Sequence, residues 1–213
     1  MKTIIILVIL WTAIAGGPMA QIDGPQYLSN AALAPMTSDP EPAPIVERKM
    51  DYHDFTLKTR EGVPFNLRQY ATGKRLTIVG YIAAWCENSI ENGPVIKRLY
   101  DKYKDRALGV VIVAEYSTAE EVSIHVNRIG IDYPVVVETD DRDARKKSPH
   151  YKYRNKVGDE RKWGTPFYVI IDSEKIMPEA KKSPLARHIH TVSGEIIEQE
   201  AEQFIEKHLT GKS

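Results

Sequence analysis

Residues 79–94 read VGYIAAWCENSIENGP and carry Cys86, the only cysteine of a 213-residue chain. The apolar run from Leu76 to Ala84 has the length of a buried strand, whereas Val95, Ile96, Leu99, Tyr100 and Tyr103 recur at helical spacing. Cys86 therefore stands where a strand ends and a helix begins. A thiol at a helix N-terminus faces backbone N–H groups without intrahelical partners and the positive end of the helix dipole, and both favour thiolate over thiol. Glu87 places a negative charge beside the sulfur and works the other way. Thiolate is the reactive form of cysteine, so the position points to sulfur chemistry.

Outward from this turn the chain alternates strands with helices. Asp54 to Lys58 and Val63 to Leu67 alternate across Gly62 as an N-terminal β-hairpin. Pro94 lacks a backbone donor and is expected to kink or restart the helix after Cys86. Leu108 to Ala114 reads as a second central strand. Ser117 to Glu120 has capping-box spacing, followed by Val122, Val126 and Ile129 at helical intervals up to Gly130. Pro134 to Val137, Phe167 to Ile171 and Arg187 to Val192 read as further strands, and Ile197, Ala201, Phe204, Ile205 and Leu209 stripe a closing helix. The expected fold is α/β, a mixed, partly parallel central sheet with helices on both faces.

Equal numbers of basic and acidic side chains, 29 each, give no net field that would draw nucleic acid or a charged membrane, so partners are chosen locally. Lys2, the apolar run from Ile4 to Trp11 and the small residues up to Ala20 read as an export signal over residues 1–20, cleaved after Ala15 or Ala20. The apolar stretch is short for an uncleaved anchor crossing roughly 30 Å of hydrocarbon. Periplasmic or secreted localisation follows. Residues 21–50 contain Pro25, Pro35, Pro40, Pro42 and Pro44 and read as a linker, with the globular domain over residues 51–210. An unpaired cysteine in an oxidising compartment is an odd count that calls for a function.

From about Asp51 to Leu209 the chain resembles the thioredoxin-like fold, a three-layer sandwich, and within it the TlpA/ResA-type exported thiol-disulfide oxidoreductases of the alkyl hydroperoxide reductase/thiol-specific antioxidant superfamily. The matching residues are Asp54 to Leu57 with Leu67, Ala84-Trp85-Cys86, Pro94 eight residues on, Tyr133 to Val137, and Gly164-Thr165-Pro166 leading into Tyr168 to Asp172. The resemblance implies that Cys86 is the attacking cysteine. It also implies a cis peptide bond before Pro166, with Trp85, Thr165 and Pro166 forming the substrate groove. No cofactor, metal or nucleic acid is implied, and the expected partner is a protein or small-molecule thiol or disulfide.

The chain departs from that family where a dithiol cycle would need it most. The motif Trp-Cys-x-x-Cys ends here in Ser89, so no second thiol is present to release a mixed disulfide. Ser89 can instead donate a hydrogen bond to the Cys86 thiolate. Asn92 stands where the family often has a glutamate, and Gly80 where thioredoxin buries an aspartate. A one-cysteine peroxidase would want Pro and Thr or Ser at the positions of Val79 and Ala83. His188 and His190 alternate along one strand without ligand-spaced partners and read as a surface or edge feature rather than a metal pair.

Residues 139–163 form a basic insertion, with Arg142, Arg145, Lys146, Lys147, Lys152, Arg154, Lys156, Arg161 and Lys162 interleaved with His150, Tyr151 and Tyr153. It reads as a solvated loop extension, or else as a specificity rim for an acidic partner. Three functions fit the sequence. The first is a monothiol oxidoreductase, leaving Cys86 in a mixed disulfide that an external thiol resolves. The second is a redox-inactive module holding a protein in the groove around Trp85 and Pro166. The third is a dimer linked through Cys86.

Overall fold

Alternation of inward side chains decides how the sheet is covered. In β5 (Leu76–Ile82) every residue is buried: Leu76, Ile78 and Ile82 enter one apolar cluster, Val79 and Tyr81 the other. A strand buried on both faces belongs at the centre of a layered α/β domain. In this computed structural model the described residues are 39–179 and 183–210, so the export signal and most of the proline-rich segment fall outside them.

The main sheet has eight strands in the order β2-β9-β8-β5-β6-β7-β3-β4. β5, β6 (Leu108–Glu115) and β7 (Val135–Thr139) run parallel, while β8 (Phe167–Asp172) is antiparallel to β5 and β9 (Ala186–Val192) to β8. The hairpin β3 (Thr56–Thr59) and β4 (Pro64–Asn66) adds to β7. One face is covered by α2 (Glu87–Tyr103), α3 (Ala119–Ile129) and α5 (Glu198–Thr210), through Ile96, Leu99, Val122, Val126, Ala201 and Ile205. The other face carries Leu67 of the short α1 (Leu67–Ala71) and Tyr153 of α4 (Pro149–Lys156). This is the mixed, three-layer thioredoxin-like architecture expected from the sequence.

Several sequence expectations change. β2 (Val46–Tyr52) pairs antiparallel with β9, and β1 (Pro42–Ala43) pairs with β10 (Glu195–Ile196), so the domain starts inside the segment read as linker. The prolines hid this: Pro42 and Pro44 flank an edge where a missing N–H costs no ladder bond, and β2 alternates exposed and half-buried residues instead of being continuously apolar. β2 also covers β9, which is therefore not an edge strand. Pro94 does not restart the helix, because α2 runs unbroken from Glu87 to Tyr103 with Ile96, Leu99 and Tyr103 anchored in the core. The capping box lies one residue later than its sequence spacing suggested: the Thr118 hydroxyl accepts from Glu121 N at 3.2 Å, and Thr118 N donates to Glu121 Oε2 at 2.8 Å. Residues 139–163 are not a solvated loop, since they contain α4 and bury Ser148, His150, Arg154 and Asp159.

Candidate active site around Cys86

β5 ends just before Cys86, and the chain turns there because Cys86 N donates to Ala83 O at 2.9 Å while Ile90 N starts the helical ladder on Cys86 O at 3.0 Å. Cys86 is the N-cap of α2 and uses no side-chain cap bond. Its half-buried Sγ donates instead to the Thr165 carbonyl at 3.4 Å. The Thr165–Pro166 peptide bond is cis. Three of the sequence-predicted residues, Cys86, Thr165 and Pro166, are thus brought together from 79 residues apart in the chain by the pairing of β5 with β8. Ser89 lies in the first turn of α2, only 1% exposed, and neither its hydroxyl nor that of Thr165 has a hydrogen-bond partner among the described residues. Buried hydroxyls rarely stay unpaired without a reason.

Trp85 is held from the β6–α3 connection. Its indole N–H donates to Tyr116 O at 2.7 Å, and Ala84 N donates to Ser117 Oγ at 2.8 Å. Tyr116 sits at φ 54°, a left-handed conformation rare for a bulky residue, so this connection is tightly constrained.

The positions where the family would place a base are filled by packing. A Cβ on Gly80 would lie 2.8 Å from Ile112 Cδ1 and 2.9 Å from Tyr168 Cε1, so a side chain there would have to displace Ile112 and the Tyr168 ring. Asn92 is buried; its Nδ2 donates to Ile196 O at 3.1 Å, and its Oδ1 accepts from Ile196 N at 2.9 Å and from Tyr168 Oη at 2.7 Å. Burial, with the neighbouring Tyr133, Glu195 and Cys86, holds the Tyr168 phenol well above its usual range, so it stays neutral. An ionisable carboxyl does lie at the end of β6. Burial, reinforced by the nearby Glu138, holds Glu115 well above the carboxylate range, and neither of its carboxyl oxygens has a hydrogen-bond partner among the described residues.

The insertion supports the cis-proline loop. His150 Nε2 meets Gly164 O at 3.1 Å, and its Nδ1 meets Tyr116 Oη at 3.2 Å. A carbonyl only accepts, so Nε2 carries the proton and Nδ1 accepts from Tyr116. Burial, reinforced by the charge of Arg154, pushes this imidazole down to about 3 and keeps it neutral. Arg154, 2% exposed, donates to the carbonyls of Asp159, Arg161 and Lys162 at 2.9, 2.7 and 3.3 Å. Gly164 is required where it stands, at φ 65°, because a Cβ would lie 2.4 Å from Arg154 Cδ. Arg161 donates to Pro166 O at 3.0 Å and pairs with Asp159 at 2.7 Å.

The Redoxin family matches residues 46–193, from the first residue of β2 past the end of β9. The chain belongs to the Redoxin family. No curated protein matches it. Among solved structures, this Redoxin-family chain is 20% identical to a thiol:disulfide interchange protein of the thioredoxin family from Chlorobium tepidum, with a TM-score of 0.52 over 76% of this chain and 97% of the other. The thioredoxin domain of a thiol-disulfide oxidoreductase from Bacteroides vulgatus is 16% identical, with a TM-score of 0.54 over 76% and 96%. At these identities the likeness is one of fold. Within this Redoxin-family chain, sequence reasoning did not single out Trp163, and it read His150, Arg154 and Arg161 as parts of a solvated extension or a rim although His150 and Arg154 are buried and all three support the Pro166 loop. The one available signal was that the aromatic and basic residues of 139–163 run directly into Gly164-Thr165-Pro166. Among the described residues no group of His, Cys, Asp and Glu is arranged to hold a metal, and no helix is long and apolar enough to cross a membrane.

Proposed function

We propose that the protein is a thiol-disulfide oxidoreductase that works through Cys86 alone. The observation that carries this reading is the 3.4 Å contact of Cys86 Sγ with the carbonyl before cis-Pro166, at the N-terminus of a helix. In the reaction, the Cys86 thiolate attacks one sulfur of a client disulfide. The Cys86–client bond forms, the client S–S bond breaks, and the departing client thiolate takes up a proton. An external thiolate then attacks the client sulfur of the mixed disulfide, forming a new disulfide and releasing Cys86. Disulfides are conserved in number across the two steps, so no other oxidant or reductant enters.

The unpartnered hydroxyls of Ser89 and Thr165 are the side-chain donors offered to the sulfur once its proton has left. Trp85, Thr165 and Pro166 form the groove for the client. An exported location, periplasmic or secreted, fits the leading basic and apolar residues. Replacement of Cys86 by Ser tests the reading: exchange with any disulfide substrate is expected to vanish, and exchange retained in that variant overturns it. A Cys86-linked dimer on a non-reducing gel would mark the same sulfur as accessible.

A further inference from the structure

Four groups beside Cys86 form a continuous ladder of cations and indoles. The Arg142 guanidinium lies 4.7 Å from the Trp85 ring, Trp85 meets Trp163 edge-on at 5.0 Å, and the Arg145 guanidinium lies 4.9 Å from the Trp163 ring. Lys162 Nζ stands 5.5 Å from the same Trp163 ring. The two ends differ in charge balance. Arg142 is paired with Glu121 at 2.5 Å and also donates to Tyr116 O. Arg145, Lys146, Lys147 and Lys162 make no ion pair among the described residues, and all but the half-buried Arg145 are exposed. Among the acids of the insertion, Asp159 is engaged by Arg154 and Arg161, Asp141 accepts from the backbone of Asp143 and Ala144, and the exposed Asp140, Asp143 and Glu160 make no ion pair with these cations among the described residues.

From this arrangement we infer that the client is a polypeptide with acidic residues about three positions from its reacting cysteine, lying along the two indoles with its carboxylates against Arg145 and Lys162. The inference rests on the oxidoreductase reading for the sulfur chemistry, but the binding surface does not depend on it. Length selects the occupant. The two ring contacts of 5.0 and 4.9 Å put the Arg145 guanidinium no more than about 10 Å from the Trp85 ring, within reach of about three residues of extended chain at roughly 3.3 Å each. A small thiol attached to Cys86 would have to cross both indoles to reach the unpaired cations, whereas a strand paired beside Pro166 covers the distance as it leaves the groove. Indole faces already polarised by arginine and lysine add apolar contact without a cost in side-chain ordering for the client.

The test uses three synthetic peptides, each with one cysteine in a mixed disulfide with a chromogenic thiol and with Glu, Gln or Lys three positions away. Their rates of transfer to Cys86 are measured on the full chain. The Glu peptide is expected to react about tenfold faster than the Lys peptide at low ionic strength, and the difference should vanish in roughly 1 M salt, where the Debye length is about 3 Å. Lys162→Glu should remove or reverse the preference, as should Lys146→Glu with Lys147→Glu if the first variant folds poorly. Binding of the alkylated peptides to Cys86→Ser, read by fluorescence anisotropy, should show the same order. Equal transfer rates and equal binding for all three peptides overturn the inference and leave the oxidoreductase reading intact. Selective binding of the Glu peptide with no transfer from any peptide does the opposite.

Discussion

The Tyr168 hydroxyl donates to Asn92 Oδ1 at 2.7 Å, while the ring of the same tyrosine fills the space in front of Gly80. One side chain thus links the two positions from which a dithiol enzyme of this fold draws its base. Gly80 and Tyr168 are direct cross-strand partners in β5 and β8, so the ring reaches Gly80 by register rather than by a detour. Neither position titrates near neutral pH, and both serve packing. Tyr168→Phe is expected to cost about 0.5–1.5 kcal/mol in urea unfolding, the net worth of one hydrogen bond, because Asn92 Oδ1 keeps its bond from Ile196 N. It should leave the rate of Cys86 alkylation within about twofold, since no proton passes through this pair. A large fall in alkylation rate would contradict that account.

Ser89→Cys restores the spacing of the family motif. The variant is expected to close an internal disulfide with Cys86 and to release mixed disulfides without added thiol. Mass spectrometry after blocking free thiols reads the outcome directly. A variant that keeps both thiols free under oxidant would mean that the first turn of α2 no longer holds residue 89 near the sulfur.

His150 supports the carbonyl that lies two residues before Pro166, and its folded value of about 3 lies below the ordinary 6.5. In the pH range between those values the unfolded chain binds the proton and the folded one does not. Stability is therefore complete above about 6.5 and is lost progressively as pH falls toward 3. His150→Gln keeps a donor to Gly164 O and should flatten this acid limb, whereas His150→Phe leaves Gly164 O without that donor and the Tyr116 hydroxyl with Ser148 alone, and should cost about 1–3 kcal/mol. Urea midpoints from pH 7 to pH 4 distinguish the two variants. An unchanged acid limb in His150→Gln would assign it to other groups.

Glu115 acts in the opposite direction. Its carboxyl is protonated in the fold and ionises in the unfolded chain above about 4.3, so the folded state binds the extra proton and stability falls as pH rises beyond that value. Glu115→Gln removes the effect. Its melting temperature is expected to match the parent near pH 4 and to exceed it increasingly toward pH 8. A variant less stable at pH 8 would show that the ionised carboxylate is satisfied.

Residues 79–94 made the centre of this domain legible, because a doubly buried strand followed by helical spacing has few alternatives. The cis-proline loop was legible only through resemblance, since nothing in Gly164-Thr165-Pro166 by itself brings it to Cys86. β2 escaped notice because one of its faces is solvated and its alternation is polar. The role of residues 139–163 escaped for a different reason. Composition registers Arg154 and His150 as polar, but burial depends on which carbonyls their donors reach, and Gly164, Asp159 and Lys162 come into reach only after α4 has folded back on the loop.

On the proposed reading, Cys86 exchanges disulfides alone and needs a thiol from outside to finish. The most direct measurement mixes reduced protein with one equivalent of a peptide disulfide and follows the adduct by intact mass spectrometry, with and without an added thiol. A Cys86–peptide adduct is expected to persist without the thiol and to disappear, with recovery of reduced protein, when the thiol is added. Failure of any adduct to form on folded protein, or its disappearance without external thiol, would contradict that reading.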